Sequence, residues 1–289
     1  MNTRRGPMGS VLLAVVAVIS GVGAVLAEVA LPAAARAQSE GQRESQKQTR
    51  AQLNVITSGG FAAAFQALQP EFEKSTGIKL TVTRGASQGS GPDTIGAQLR
   101  RGFPADVVIM SREGLDDLIA EKRIVVGSDV NLGQTPLGVA VRAGASKPDI
   151  RTVEAFKQTM LRAKSVTFPG STTGIYMVKK LFPQLGIASE MAPKTASTGV
   201  AAVAKGDAEI AVQPVSELLH APGTEFVGTV PKEIQYVSVF SAAMVAGSKE
   251  AKPMLAARAL EARKLLDFLT SEKAKAAIKA SGMEPVKAR

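Results

Sequence analysis

LNVITSGGFAAAFQALQPEFEKSTGIKLTVT, residues 53–83, is the stretch that decides the fold of this chain. It opens with a short apolar strand pattern and closes with a second one at 78–83. Between them, large apolar residues recur at the spacing of one helix face: Phe61, Phe65, Leu68 and Phe72. Gly77 is placed to end that helix. A strand, a helix and a second strand joined by short connections predict two parallel neighbouring strands of an α/β sheet.

The rest of the chain continues the same alternation of strands and helices. Strand patterns are predicted at 106–110, 137–141, 165–168, 209–213 and 237–246, and helices at 94–101, around 115–119, from Thr152, from 174, from Pro253 to Leu269, and after Ser271. One open sheet would need about eight strands with few breaks between domains. We therefore predict two α/β lobes.

The N-terminus has the pattern of a targeting segment. Arg4 and Arg5 precede a run from Val11 to Ala27 without charge, and Ala35-Arg36-Ala37 is a small-x-small cleavage site. This order predicts a cleaved secretory signal peptide over 1–37 and export to the periplasm. An uncleaved membrane anchor is the alternative, because the apolar run is long for a signal peptide. Residues 38–52 are polar and predict a flexible leader.

Composition excludes several classes of protein. The chain has no Cys and one His, His220, which excludes disulfide scaffolds, thiolate or multi-histidine metal sites and a cysteine nucleophile. The formal net charge is +10, but Lys and Arg are scattered and aromatic residues make up only 4% of the chain. Such a surface argues against nucleic acid binding and allows a small anionic ligand. We predict no metal and no cofactor.

Candidate ligand-binding residues follow the predicted strands. In open α/β sheets, ligands bind beyond the carboxyl ends of the strands, where helix N-termini favour anions. Hydroxyl, glycine, amide and guanidinium groups stand at these places: Ser58, Gly59, Gly60, Arg84, Ser87, Ser90, Ser111, Arg112, Thr172, Thr173 and Gln213. Either arginine would bind a carboxylate through two hydrogen bonds. Asp93 is the candidate base among the acidic residues of these loops.

Several segments resemble one known family. They are Leu53-x-Val-Ile-Thr-Ser-Gly-Gly, Phe72-Glu-Lys-x-Thr-Gly-Ile, Arg101-Gly-Phe-Pro-Ala-Asp-Val-Val-Ile, Gly174-Ile-Tyr and Phe268-Leu-Thr-Ser-Glu-Lys-Ala to Gly282-Met-Glu-Pro. Together they resemble the molybdate-binding-like extracellular solute-binding proteins over residues 52–286. The resemblance implies a two-lobed, type II-like periplasmic binding protein fold with an anion enclosed between lobes joined by two crossover strands. It also implies a monomer that delivers its ligand to an ABC transporter permease in the inner membrane.

With this resemblance, the predicted limits are residues 53–134 for the first part of lobe 1, 135–237 for lobe 2, and 238–289 for the return to lobe 1. The crossover strands near 135 and 237 would act as the hinge.

The binding residues depart from the molybdate pattern. The family's first serine falls near Gly60, and its second falls within Ser90 to Pro92, in a longer loop. The tyrosine hydroxyl late in lobe 2 falls at Gln213 or Pro214 and is missing. We therefore predict capture of a small anion, either an inorganic oxyanion or an organic carboxylate. The alternative is an aconitate isomerase-like enzyme on the same fold, so enzymatic activity stays open.

Overall fold

The computed structural model describes residues 52–247 and 252–286. The predicted signal peptide lies outside the described residues, as does the predicted leader except Gln52. The strands are β1 Gln52–Thr57, β2 Lys79–Arg84, β3 Val107–Ser111, β4 Val130–Arg142, β5 Val166–Thr167, β6 Thr195–Ala196, β7 Ile210–Pro214, β8 Thr224–Thr229, β9 Val237–Met244 and β10 Glu284–Pro285.

The α-helices are α1 Gly59–Thr76, α2 Ile95–Arg100, α3 Arg112–Ala120, α4 Val153–Arg162, α5 Thr172–Tyr176, α6 Phe182–Gln184, α7 Ala188–Met191, α8 Val200–Lys205, α9 Val215–Leu218, α10 Lys252–Leu269 and α11 Glu272–Ala280. A π-helical turn, Met177–Leu181, joins α5 to α6. Among the described residues, no helix has the length and apolar character needed to cross a membrane.

The stretch at 53–83 folds as predicted. β1 pairs in parallel with β2, and the helix between them buries its predicted face, with Phe61, Phe65, Leu68 and Phe72 at most 2% exposed. Gly77 follows the helix as its C-cap. The predicted caps Thr152 and Ser271 also accept hydrogen bonds from the first turns of α4 and α11.

β4 links two groups of strands. Its first part, 130–136, pairs with β9, and the order there is β2-β1-β3-β9-β4, whereas its second part, 137–142, pairs with β7 and β8. The buried cores divide at the same place. The hydrophobic cores of the first group of strands consist of residues within 53–132 and 240–283, and those of the second group consist of residues within 137–234. We call these groups lobe 1 and lobe 2. The limits given above from the sequence stay a prediction; they fall within β4 and at the start of β9.

One strand prediction needs correction, and three strands were missed. The strand predicted at 137–141 is the second half of β4, whose first half contains Asn131, Gly133, Gln134 and Pro136 and so lacks an apolar alternation. β6, β8 and β10 were not predicted. β6 and β10 have two residues each, too few for a periodic pattern.

Candidate functional site

A cavity of about 400 Å³ lies between the two lobes, at the ends of their strands. Small hydroxyl, glycine and amide groups make up most of its wall. Lobe 1 contributes Ser58, Gly59, Gly60, Ala86, Ser87, Asp93, Ser111, Ser238 and Phe240; lobe 2 contributes residues 169–173, residues 197–201, Gln213, Pro214 and Glu217. No lysine, arginine or histidine is among these lining residues.

The structure brings eight of the eleven residues proposed from the sequence together in this cavity. They are Ser58, Gly59, Gly60, Ser87, Ser111, Thr172, Thr173 and Gln213. They come from five strand ends, which meet because β1, β2, β3, β5 and β7 present their carboxyl ends to the gap between the lobes.

The other three residues do not line the cavity. Ser90 is exposed in the loop after β2. Arg112 turns away to Asp116, with Nε 2.9 Å from Oδ1, and to Asp129, with Nη1 2.8 Å from Oδ2, so its charge is already neutralised. Arg84 is an exposed residue at the end of β2, close enough for its positive charge to act on Glu217.

Hydroxyl groups connect the lobes across the cavity. Ser111 Oγ lies 2.9 Å from Thr172 Oγ1, and Ser216 Oγ donates to the carbonyl oxygen of Gly60 at 2.8 Å. Ser87 Oγ accepts from the Ser111 backbone N–H at 2.9 Å, which fixes the loop after β2 against α3. The structure is therefore a closed arrangement in which both lobes contribute to the wall of one cavity.

Ser58 Oγ has an unused hydrogen-bonding capacity. The residue is 3% exposed and lines the cavity, and its hydroxyl has no hydrogen-bond partner. A buried hydroxyl without a partner is costly unless a ligand or water completes it. Ser58 therefore fits a hydrogen bond to an enclosed ligand.

Glu217 is the functional candidate that our sequence analysis missed. It lies on the short helix α9, which begins directly after β7, and its carboxyl group lines the cavity beside Gly59. A side-chain carbon built at Gly59 would lie 3.1 Å from Glu217 Oε1. The strand-end rule that selected Gln213 applies equally to Glu217, four residues further along the chain.

Burial raises the pKa of Glu217 from 4.5 to about 7, while a hydrogen bond from Gln213 and the positive charge of Arg84 act in the opposite direction. A carboxyl group with a pKa near neutrality exchanges protons readily at physiological pH, as a general base requires. Asp93, the candidate base predicted from the sequence, also lines the cavity. Its Oδ1 lies 2.6 Å from the position of a carbon built on Gly91, so its carboxyl group folds back over its own loop.

The raised pKa of Glu217 predicts how stability depends on pH. Because the folded state favours the neutral carboxyl, this stabilisation is complete below pH 4.5 and is lost as the pH rises through about 7. The glutamine side chain of Glu217→Gln stays neutral at every pH. Without ligand, the melting temperature of the variant is therefore expected to be close to that of the wild type at pH 4.5 and higher than that of the wild type at pH 8. Melting curves of both proteins at the two pH values test this. Equal differences at the two pH values would contradict it.

Comparison with known proteins identifies relatives of this chain. A family model described as bacterial extracellular solute-binding protein matches residues 53–284. The chain is 38% identical over 241 residues to an aconitate isomerase from a Pseudomonas species, covering 82% of this chain and 89% of that protein.

Solved structures share the fold at lower identity. The substrate-binding domain of a putative molybdenum ABC transporter from Clostridium difficile superposes with a TM-score of 0.58 at 18% identity, over 82% of this chain and 100% of that one. The Azotobacter vinelandii periplasmic molybdate-binding protein gives 0.59 at 19% identity, over 80% and 98%. These likenesses confirm the two-lobed periplasmic binding protein fold and the resemblance seen in the sequence. The chain belongs to the bacterial extracellular solute-binding protein family.

Proposed function

We propose that this protein works in the periplasm, encloses a small organic carboxylate of the aconitate class between its lobes, and isomerises it by moving a proton through Glu217. The observation that carries the proposal is the Glu217 carboxyl group, which faces a hydroxyl-lined cavity with a pKa of about 7. An ionised carboxylate repels an anionic ligand, so binding alone does not call for one in the site. A proton-transfer enzyme needs such a group.

The identity to an aconitate isomerase supports the substrate class. Aconitate carries three carboxylates around one carbon–carbon double bond, so serine and threonine hydroxyls and backbone N–H groups suit its oxygens. Arg84 adds positive charge from the rim.

The proposed step balances without any co-reactant. The Glu217 carboxylate takes a proton from the saturated carbon next to a substrate carboxylate, and the electron pair spreads over the three-carbon unit and its carboxylates. Glu217 then returns the proton to the other end of that unit, which moves the double bond and changes the isomer. Hydroxyl donors already placed in the cavity, Ser58 among them, would stabilise the charge that develops.

Delivery of an anion to an ABC transporter permease is the second candidate function. The cross-lobe hydrogen bonds from Ser111 to Thr172 and from Ser216 to Gly60 support it, because a permease can recognise the closed arrangement they hold. In this function the ligand is released unchanged, and an inorganic oxyanion is an eligible ligand.

A thermal-shift and turnover experiment on residues 38–289 tests the two functions together. We expect both aconitate isomers to stabilise the protein and to be interconverted, and molybdate, sulfate and phosphate to have no effect. A ligand at 100 times its Kd adds about 2.7 kcal/mol, or roughly 5–10 °C in the midpoint. Stabilisation by aconitate without interconversion would replace the isomerase with the delivery function. Stabilisation by oxyanions alone would refute the organic carboxylate.

A further inference from the structure

The cavity side of β7 and α9 carries a chain of hydrogen bonds that ends on Glu217. The Val200 N–H, at the start of α8, donates to Gln213 Oε1, and Gln213 Nε2 donates to Glu217 Oε2. Gln213 is 3% exposed, so water does not compete for these bonds.

The hydrogen bond from Val200 to Gln213 determines which group Gln213 presents to Glu217. An amide side chain has one accepting oxygen and one donating nitrogen. Because the backbone N–H of Val200 can only donate, the oxygen of Gln213 must face it. The Gln213 nitrogen must then face the carboxyl group. The fold thus presents Glu217 with a donor, and a donor favours the ionised carboxylate.

The bond also fixes which carboxyl oxygen is free. Oε2 is held by Gln213, while Oε1 lies on the Gly59 side of the cavity, 3.1 Å from the position of a carbon built there. A bare glycine at this point leaves the approach to Oε1 open. A base whose carboxylate rotated freely would meet its substrate in the right geometry only part of the time.

We propose that Gln213 is the positioning residue of this site. Its own oxygen is held by the Val200 N–H, and its nitrogen donates a hydrogen bond to Glu217 Oε2. This bond keeps the carboxyl group orientated with Oε1 toward the substrate and favours the ionised form of Glu217. This role rests on the function proposed above for Glu217. Arg84 and Asp93 are the other charged groups near Glu217, the first through its field and the second on the cavity wall, and neither makes this contact.

Gln213→Met tests the role, because methionine has a similar length and flexibility but donates no hydrogen bond. We follow the ionisation of Glu217 from the side-chain carboxyl carbon by ¹³C NMR, with Glu217→Gln to assign the resonance. Loss of the donor is expected to raise the titration midpoint of Glu217 by about one pH unit, a tenfold change in proton affinity. The midpoint of the pH–rate profile is expected to rise with it, and kcat to fall at least tenfold, with a smaller change in KM.

Thr159→Val is the matched control. Thr159 is also a buried residue of lobe 2 that donates one side-chain hydrogen bond, to the carbonyl oxygen of Asp149 at 2.8 Å, and it does not line the cavity. It is expected to lower the melting temperature and to leave both pH midpoints unchanged. An unchanged Glu217 midpoint in folded Gln213→Met would overturn the positioning role. A raised midpoint in a protein without isomerase activity would leave the clamp standing and refute the proposed function alone.

Discussion

Glu217→Gln is expected to lower kcat for aconitate interconversion by about 10²–10⁴-fold, the usual contribution of a general acid–base group. Glutamine has the size of glutamate and still offers Gln213 an oxygen to bind, so the cavity keeps its shape. It cannot accept and return a proton. Isothermal titration of the variant should show that aconitate still binds within a few-fold of the wild type, because the change removes a step and not the binding groups.

Asp93→Asn is the comparison variant for this experiment, since Asp93 and Glu217 are the ionisable side chains among the described residues that line the cavity. We expect it to lose less than tenfold in kcat. Turnover in Glu217→Gln within tenfold of the wild type would exclude Glu217 as the base. A large loss in Asp93→Asn with a small one in Glu217→Gln would transfer the role to the loop after β2.

The sequence was sufficient for the parts of the fold that depend on local periodicity. The buried face of α1 could be predicted because its four large apolar residues recur at helical spacing. The strand ends around the cavity could be predicted because hydroxyl and glycine residues follow each apolar run. What these patterns lack is the direction of a side chain.

Two residues, Arg112 and Glu217, could not be placed correctly because the sequence does not give the direction of a side chain. Arg112 follows a cavity serine in sequence, yet it turns to Asp116, four residues later on the same helix, and to Asp129. The first of these partners was readable from helical spacing. Glu217 stands on a helix of only four residues, which has no period to analyse. Its raised pKa depends on burial between two lobes, a property of the folded chain alone.

Gly114→Ala is expected to have the second large effect, on both stability and ligand binding. Gly114 lies in the first turn of α3, directly under the loop that carries Ser87. A β-carbon there would overlap the Ser87 carbonyl oxygen and lie 2.8 Å from Met110 Cε. Since a backbone carbonyl cannot rotate away as a side chain can, the loop itself must move.

That displacement connects packing to function, because the same loop brings Ser87 and Asp93 to the cavity and accepts the Ser111 N–H bond. We expect a loss of about 2–3 kcal/mol in unfolding free energy from overpacking and a fall of at least tenfold in affinity for aconitate.

Gly96→Ala in α2 is the control: its β-carbon would meet only the flexible end of Arg100, 3.3 Å away. Alanine is the better helix former, so this variant is expected to gain up to about 1 kcal/mol and to bind normally. Denaturant unfolding and titration calorimetry of the two variants measure both effects, and equal behaviour of the pair would show that the loop does not depend on Gly114.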